Sequence, residues 1–254
     1  MEYNRFHTHT RVRARILSDN HHLVMDLLPQ ELIDAIIDNV PNFSLLSCSL
    51  VAKRWRQKSQ RRAFEIILFS SEDEVNRWCT DISRNSDGIS SYVRHVKIDE
   101  ISSWAEPALF GRMLGTLSLL TTLWVDETEI PDELPGHISR GVFGKDITAL
   151  YLHSPRCTLT TVTSMILSLP DLKELVVEDW TATSEEPLPS YSATPRGRQL
   201  HSLELQGDVG GIGEALAKSR STTNCLSLDV HILGVEQLLM VSSETVVELK
   251  LCGV

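Results

Sequence analysis

The sequence predicts an α/β chain: a short three-helix module, then a solenoid of parallel strands that alternate with helices or irregular turns. Three observations predict it. Leu28, Leu32, Ile33, Ile36, Ile37 and Val40 recur at helical spacing and form one apolar face. Further on, an apolar-x-x-apolar-x-apolar pattern recurs seven times, which marks a repeat architecture. Between those recurrences the apolar residues return to helical spacing, so strands and helices alternate.

Leu28-Pro29 opens the first helix, because proline at the first helical position loses no needed N–H and presets φ. Asp26 and Glu31 put negative charge near that start, where the helix dipole favours it. Pro41 ends the run. A second short apolar stretch, Phe43 to Cys48, leads through Leu50-Val51 into the basic-aromatic cluster Lys53-Arg54-Trp55-Arg56.

This order of residues resembles the F-box, the short three-helix module of ubiquitin-ligase substrate receptors. The matching residues are Leu28-Pro29-Gln30-Glu31-Leu32-Ile33, Ile36-Ile37, Val40, Leu45-Leu46, Cys48, Leu50-Val51 and Lys53-Arg54-Trp55-Arg56. A helical stripe alone is common in any core. The LPxE start and the KRW end, standing at the family's separation, carry the resemblance. It covers about residues 26–62.

The repeat consists of Val93/Val96/Ile98, Leu120/Leu123/Val125, Ile147/Leu150/Leu152, Leu172/Leu175/Val177, Leu200/Leu203/Leu205, Thr223/Leu226/Leu228 and Val246/Leu249/Leu251. Its steps are 27, 27, 25, 28, 23 and 23 residues, within the range of leucine-rich repeats. Phe64 to Phe69 reads as an earlier strand, a cap one repeat upstream. The pattern resembles the irregular leucine-rich repeats attached to many F-box proteins. The expected organisation is a disordered segment over 1–24, the F-box over 25–62 and a leucine-rich-repeat domain over 63–254.

Helices are expected where Leu109, Phe110, Met113, Leu114 and Leu117 follow Pro107, and where Leu159, Val162, Ile166 and Leu167 recur. Ile212 to Lys218 and Val235 to Val241 each suit two turns. A doubly wound α/β domain is the alternative. It needs longer crossovers than these connections provide. Residues 181–199, with three prolines and many hydroxyls, read as an irregular loop on the back of the solenoid, open to phosphorylation.

The net charge is −10, unevenly spread. Residues 1–24 carry four Arg against Glu2 and Asp19, and residues 25–62 carry six Lys/Arg against four acids, which leaves −14 on the remainder. The basic run Lys53 to Arg62 continues the third helix, has no aromatic interleaving beyond Trp55 and precedes an acidic body. A solvated or adaptor-facing helix side fits it better than nucleic acid. Five scattered cysteines without CxxC spacing, and no secretory pattern before them, suggest reduced thiols in the cytoplasm or nucleus. No apolar run approaches a membrane span. His7, His9, His21 and His22 lack a scaffold for a metal.

Gly207 to Gly213 follows a strand and precedes a helix, the setting of a dinucleotide fingerprint. The spacing fails, because position 216 is Leu216 where the third glycine belongs. GxSxG, HExxH and Walker A patterns are also missing from the sequence. Neither catalysis nor a cofactor is expected; a receptor is the leading function class, a protein-binding scaffold or inhibitor the second, and an α/β enzyme using the Gly207 to Gly213 turn the third.

The F-box resemblance implies docking on a Skp-type adaptor, and through it on a cullin-RING complex, with the repeats holding a protein substrate. By that resemblance Leu28, Pro29, Leu32, Ile36, Leu45, Val51 and Trp55 bury against the adaptor, some of them also packing the module's own core. In an LxxLxL strand the apolar positions point inward and the residues between them outward. Lys97, Trp124, Tyr151, Val176, Glu204, Ser227 and Lys250 are therefore expected on the substrate-facing surface, with Trp124, Tyr151, Val176 and Glu204 as the binding residues. Asp99, Asp126, His153, Glu174, Glu178, Asp229 and Glu248 flank them, so the client is expected to bring an apolar anchor within a basic segment. Val246 to Leu251 reads as one more strand, expected to be covered by further repeats or by a partner.

Overall fold

A computed structural model describes residues 28–84, 88–141, 144–182, 199–207, 209, 211–218, 221–229 and 235–252. The expected disorder of residues 1–24 and most of the expected 181–199 loop lie outside the described residues. Three helices come first: α1 (Gln30–Asp38), α2 (Asn42–Cys48) and α3 (Lys53–Ala63). Pro29 and Pro41 take extended backbone and stand just before α1 and α2. Pro29, expected at the first helical position, is one residue before it. The two carbonyls accept the first helical N–H groups, Leu32 and Ile33 to Pro29 and Ser44 to Pro41. Ile33, Ile37, Leu45 and Trp55 form a core of their own, separate from the larger one.

The rest is a mixed α/β unit. Its elements are β1 (Ile66–Phe69), α4 (Glu72–Arg84), β2 (His95–Asp99), α5 (Ala108–Gly115), β3 (Thr122–Asp126), α6 (Leu134–Ser139), β4 (Ala149–His153), β5 (Arg156–Cys157) and α7 (Leu159–Ser168). They continue with β6 (Glu174–Glu178), β7 (Thr181–Ala182), β8 (Gln199–Gln206), α8 (Ile212–Lys218), β9 (Thr222–Asp229), α9 (Val235–Ser242) and β10 (Glu248–Cys252). Eight strands make one parallel sheet, ordered β1-β2-β3-β4-β6-β8-β9-β10. The order follows the chain without the reversal that a doubly wound sheet makes. β5 and β7 pair separately, so Thr181-Ala182, expected in a loop, is a strand. Gln199, at the loop's other end, already belongs to β8.

From β2 to β9 both apolar strand positions of the pattern lie inward, whereas Leu249 and Leu251 of β10 are exposed. Val96, Ile98, Leu123, Val125, Leu150, Leu152, Leu175, Val177, Leu203, Leu205, Leu226 and Leu228 are all buried in one cluster with the helices. Complete burial of each such side chain stabilises by about 1.5–3 kcal/mol. The steps between repeats vary, yet the strands align residue for residue, because the connections absorb the difference.

Two local devices repeat along the sheet. Glu100, Glu127, Ser154, Asp179 and Gly207 each follow a strand's last residue and take positive φ, between 43 and 65°. The N–H groups of Glu100, Glu127, Ser154 and Asp179 donate to the carbonyls of Asp126, His153, Glu178 and Gln206 on the next strand. That bond offsets the roughly 1–2 kcal/mol that the left-handed backbone costs a non-glycine residue. At the opposite end Arg94 and His95 both donate to the Glu65 carbonyl, and Thr121 and Thr122 both to that of Arg94.

Several elements depart from expectation. The first strand begins at Ile66, because Phe64 closes α3. α4 and α6 were not expected. α4 has Glu72, Asp73 and Glu74 in its first turn, and Ser71 Oγ accepts from the Glu74 N–H, a helix start legible in the residues themselves. No helix among the described residues is long and apolar enough to cross a membrane.

Candidate functional site

The first candidate surface is the outside of the three-helix module. α1 turns Ile33 and Ile37 inward, while Leu32 is 52% exposed and Ile36 42%. Phe43 and Leu46 of α2 and the following Leu50 and Val51 are also exposed, Leu50 to 81%. Pro29 is exposed and Leu28 half-buried. So many exposed apolar side chains on so small a module mark an interaction face. Leu45 and Trp55, expected among the adaptor-facing residues, are instead interior, at 0 and 5% exposure. The module is too thin to bury its own helices without them.

Of the basic run of α3, Lys53, Arg54, Arg56 and Arg61 are exposed, as a solvated helix side requires, and part of the run has a second use. Arg54, Lys58 and Arg62 lie four apart and so share one face. Arg54 donates to the Leu28 carbonyl at 2.9 Å, Lys58 pairs with Asp38 at 3.0 Å, and Arg62 donates to the Ile37 carbonyl. The stripe clamps α3 onto α1.

The family model of the F-box domain matches residues 25–66. That match supports an F-box protein, and F-box domains in general bind Skp-type adaptors and serve SCF-type ubiquitin ligases. The matched span takes in all three helices and the start of β1, a little beyond the 25–62 expected. Comparison with curated proteins finds no match.

The second candidate surface is the sheet face that follows the F-box. Lys97, Trp124, Tyr151, Val176, Glu204, Ser227 and Lys250 stand in one register row across seven strands. Lys97 to Ser227 are partly exposed and Lys250 is exposed. Trp124 and Tyr151 stack, with ring centroids 5.2 Å apart and planes at 15°. His95 tilts against the other side of Trp124 at 5.7 Å. Burial lowers the His95 pKa, so the ring beside the indole is neutral near pH 7.

One row further along, Asp99, Asp126, His153, Glu178 and Gln206 are in register. Lys97 Nζ lies 2.8 Å from Asp126 and 3.5 Å from Asp99, so its charge is already balanced. Burial works against the Asp126 carboxylate, but hydrogen bonds from Lys97 and His153 outweigh it and hold the pKa below the ordinary range. Burial pushes the Tyr151 phenol up, and its hydrogen bond with Glu174 adds to this, to about 12. The face therefore sets two stacked aromatics beside a border that carries Asp99, Asp126 and Glu178. Asp229, expected on this border, ends β9 and is in register with Cys252 of β10.

A shallow concavity of about 470 Å³ lies at the other end of the strands, lined by Arg94, Thr121, Thr148, Lys173, Asp146 and Asp171. Its two cations and two acids cancel. Among the described residues no cluster of His, Cys, Asp or Glu is arranged to hold a metal ion. At the Gly-rich turn Gly207 has φ +65°, and the Asp179 carboxylate occupies the space where a Cβ would project. That glycine meets a steric need of the repeat turn.

Proposed function

We propose that this chain is a substrate receptor of an SCF-type ubiquitin ligase. Its F-box docks on a Skp-type adaptor held by a cullin-RING complex, and its sheet, read as irregular leucine-rich repeats, holds a protein client. The observation that carries the reading is the exposed apolar set Leu32, Ile36, Leu46, Leu50 and Val51 on a module that keeps a core of its own. Such a face is costly in water and is offset by a partner's apolar surface. The chain supplies proximity: a client held beside a charged conjugating enzyme reacts as if intramolecular, with no catalytic group from this protein.

Client recognition is assigned to Trp124, Tyr151, Val176 and Glu204. Stacked aromatics at the centre of a surface are the residue types that dominate binding energy, and the acids beside them favour a client segment carrying basic residues.

Recovery of a Skp-type adaptor on the purified protein tests the reading. Leu32→Glu with Ile36→Glu is expected to abolish recovery while circular dichroism stays that of the parent, since both side chains are already in solvent. A parent protein that recovers no adaptor overturns it and leaves a leucine-rich scaffold unconnected to ubiquitination.

A further inference from the structure

The sheet face beyond the F-box divides by charge. Across β2, β3 and β4 its acids meet cations within the face: Lys97 lies 2.8 Å from Asp126 and 3.5 Å from Asp99, and His153 also bonds to Asp126. Across β6 and β8 it carries Glu174, Glu178 and Glu204, and none of these forms an ion pair among the described residues. The next cation along the row, Lys250, is two strands beyond Glu204 and is held 3.2 Å from Glu248. Val176 stands among the three acids, partly exposed, with Tyr151 on the neighbouring strand. We propose that Tyr151, Val176 and Glu178 form an arginine slot, in which a client arginine stacks on the open face of Tyr151, covers Val176 and pairs with Glu178. The slot rests on the assignment of client recognition to this face and names what the client must bring.

The ring stack makes the wall. The centroids of Trp124 and Tyr151 are 5.2 Å apart with planes at 15°, close to the roughly 4.8 Å between neighbouring strands. Both rings therefore stand upright on the sheet, with their faces turned across the strands. One face of Tyr151 lies against Trp124, whose far side meets His95. The other face turns toward β6, where Val176 is in register. Valine is short, so it leaves a gap over β6 between the phenol ring and Glu204 of β8. The backbones of Tyr151 and Glu204 are two strand spacings apart, roughly 10 Å.

The three acids differ in what they already hold. Glu174 accepts from the Tyr151 phenol, which fixes the ring, and Gln206 donates to Glu204. The Glu178 side chain forms no hydrogen bond or ion pair among the described residues, and it acts on His153 only through its charge. It follows Val176 by two residues, so it projects from the same side of the sheet. A planar cation stacked on Tyr151 lies above Val176 with its N–H edge directed along β6, toward Glu178. A guanidinium meets both demands at once, because it stacks on an aromatic face and offers a carboxylate two parallel N–H groups. An ammonium is a strongly hydrated point charge that does neither as well. The arginine methylenes cover the valine that the face leaves in water.

Random peptides displayed on phage and selected on the purified 254-residue chain are the probe. The bound peptides are expected to share one arginine. Its replacement by lysine in the synthetic peptide is expected to weaken binding at least about tenfold in fluorescence anisotropy. Glu178→Gln is expected to cost a similar factor, whereas Glu214→Gln, the same charge change on α8, leaves the affinity of the parent. Circular dichroism of both variants is expected to match the parent, since neither carboxylate is buried. Peptides that lose binding to the Trp124→Ala, Tyr151→Ala protein yet carry no arginine, or that accept lysine without loss, overturn the slot and leave the recognition face standing. Binding indifferent to Glu178→Gln overturns the slot as well. Selection of no peptide that depends on the two rings overturns the slot and the recognition face together. The adaptor takes no part in these measurements, so docking of the F-box stands or falls separately.

Discussion

His153 Nδ1 lies 2.5 Å from Asp126 Oδ1 across neighbouring strands of the sheet face. The bond to Asp126 raises the histidine pKa, burial opposes it, and the charges of Asp126, Glu178 and Asp179 add to the rise. A raised folded-state pKa contributes stability that is complete below the unfolded value and is lost as pH climbs through the folded one. The Asp126 pKa is lowered, so its own contribution is present above the unfolded value and lost only in acid. The pair is thus most effective in mildly acidic solution.

Thermal unfolding from pH 6 to pH 8.5 checks that relationship. The parent is expected to lose more stability over this range than His153→Gln does. The difference should be small, about 0.5 kcal/mol, because the His153 side chain is 47% exposed. Equal slopes for both proteins would mean that the imidazole is not charged by this contact.

Trp124→Ala with Tyr151→Ala is expected to leave adaptor recovery intact and remove the co-purifying client. The stacked rings border solvent but lie beyond the F-box. Retention of the client would place recognition on another surface.

In the F-box the inside and outside residues should separate by readout. Trp55→Ala is expected to cost about 3 kcal/mol of stability in denaturant titration, since the indole fills the small core. Leu50→Ala, at an 81% exposed position, should change stability by less than about 0.5 kcal/mol yet weaken adaptor binding.

Ser59 is fully buried in α3 and its hydroxyl has no hydrogen-bond partner among the described residues. Ser59→Ala removes an unsatisfied group and improves helix propensity, so stability is expected to rise by about 1 kcal/mol. A loss on equilibrium unfolding would show that the hydroxyl is satisfied in solution.

Gly207→Ala should destabilise by about 1–3 kcal/mol, because the new methyl needs both a left-handed backbone and the space of the Asp179 carboxylate. Asp179→Ala in the same chain, which removes the carboxylate but keeps a Cβ at that left-handed position, is expected to restore part of the loss, as seen in the melting temperature. No restoration would mean that backbone conformation alone sets the cost.

The sequence by itself determined the strands of the large sheet and their register, though not the short β5 and β7. The period-two alternation of Val96/Ile98 through Leu249/Leu251 can bury only one face, and a one-residue slip would expose every leucine. The same alternation placed Trp124 beside Tyr151 before any contact was visible. The LPxE start and the KRW end likewise marked the F-box, but a helical stripe wider than one contact does not say which neighbour covers which residue. Only the tertiary structure divided Leu45 and Trp55, interior, from Leu32, Ile36 and Val51, outside. It also decided that Arg54, Lys58 and Arg62 hold α1, a choice made by helix crossing and invisible to charge counting. The turn after each strand was likewise settled in three dimensions. Glu100, Glu127, Ser154 and Asp179 are not residues that demand positive φ, and they adopt it because the next strand's carbonyl lies within reach of their N–H.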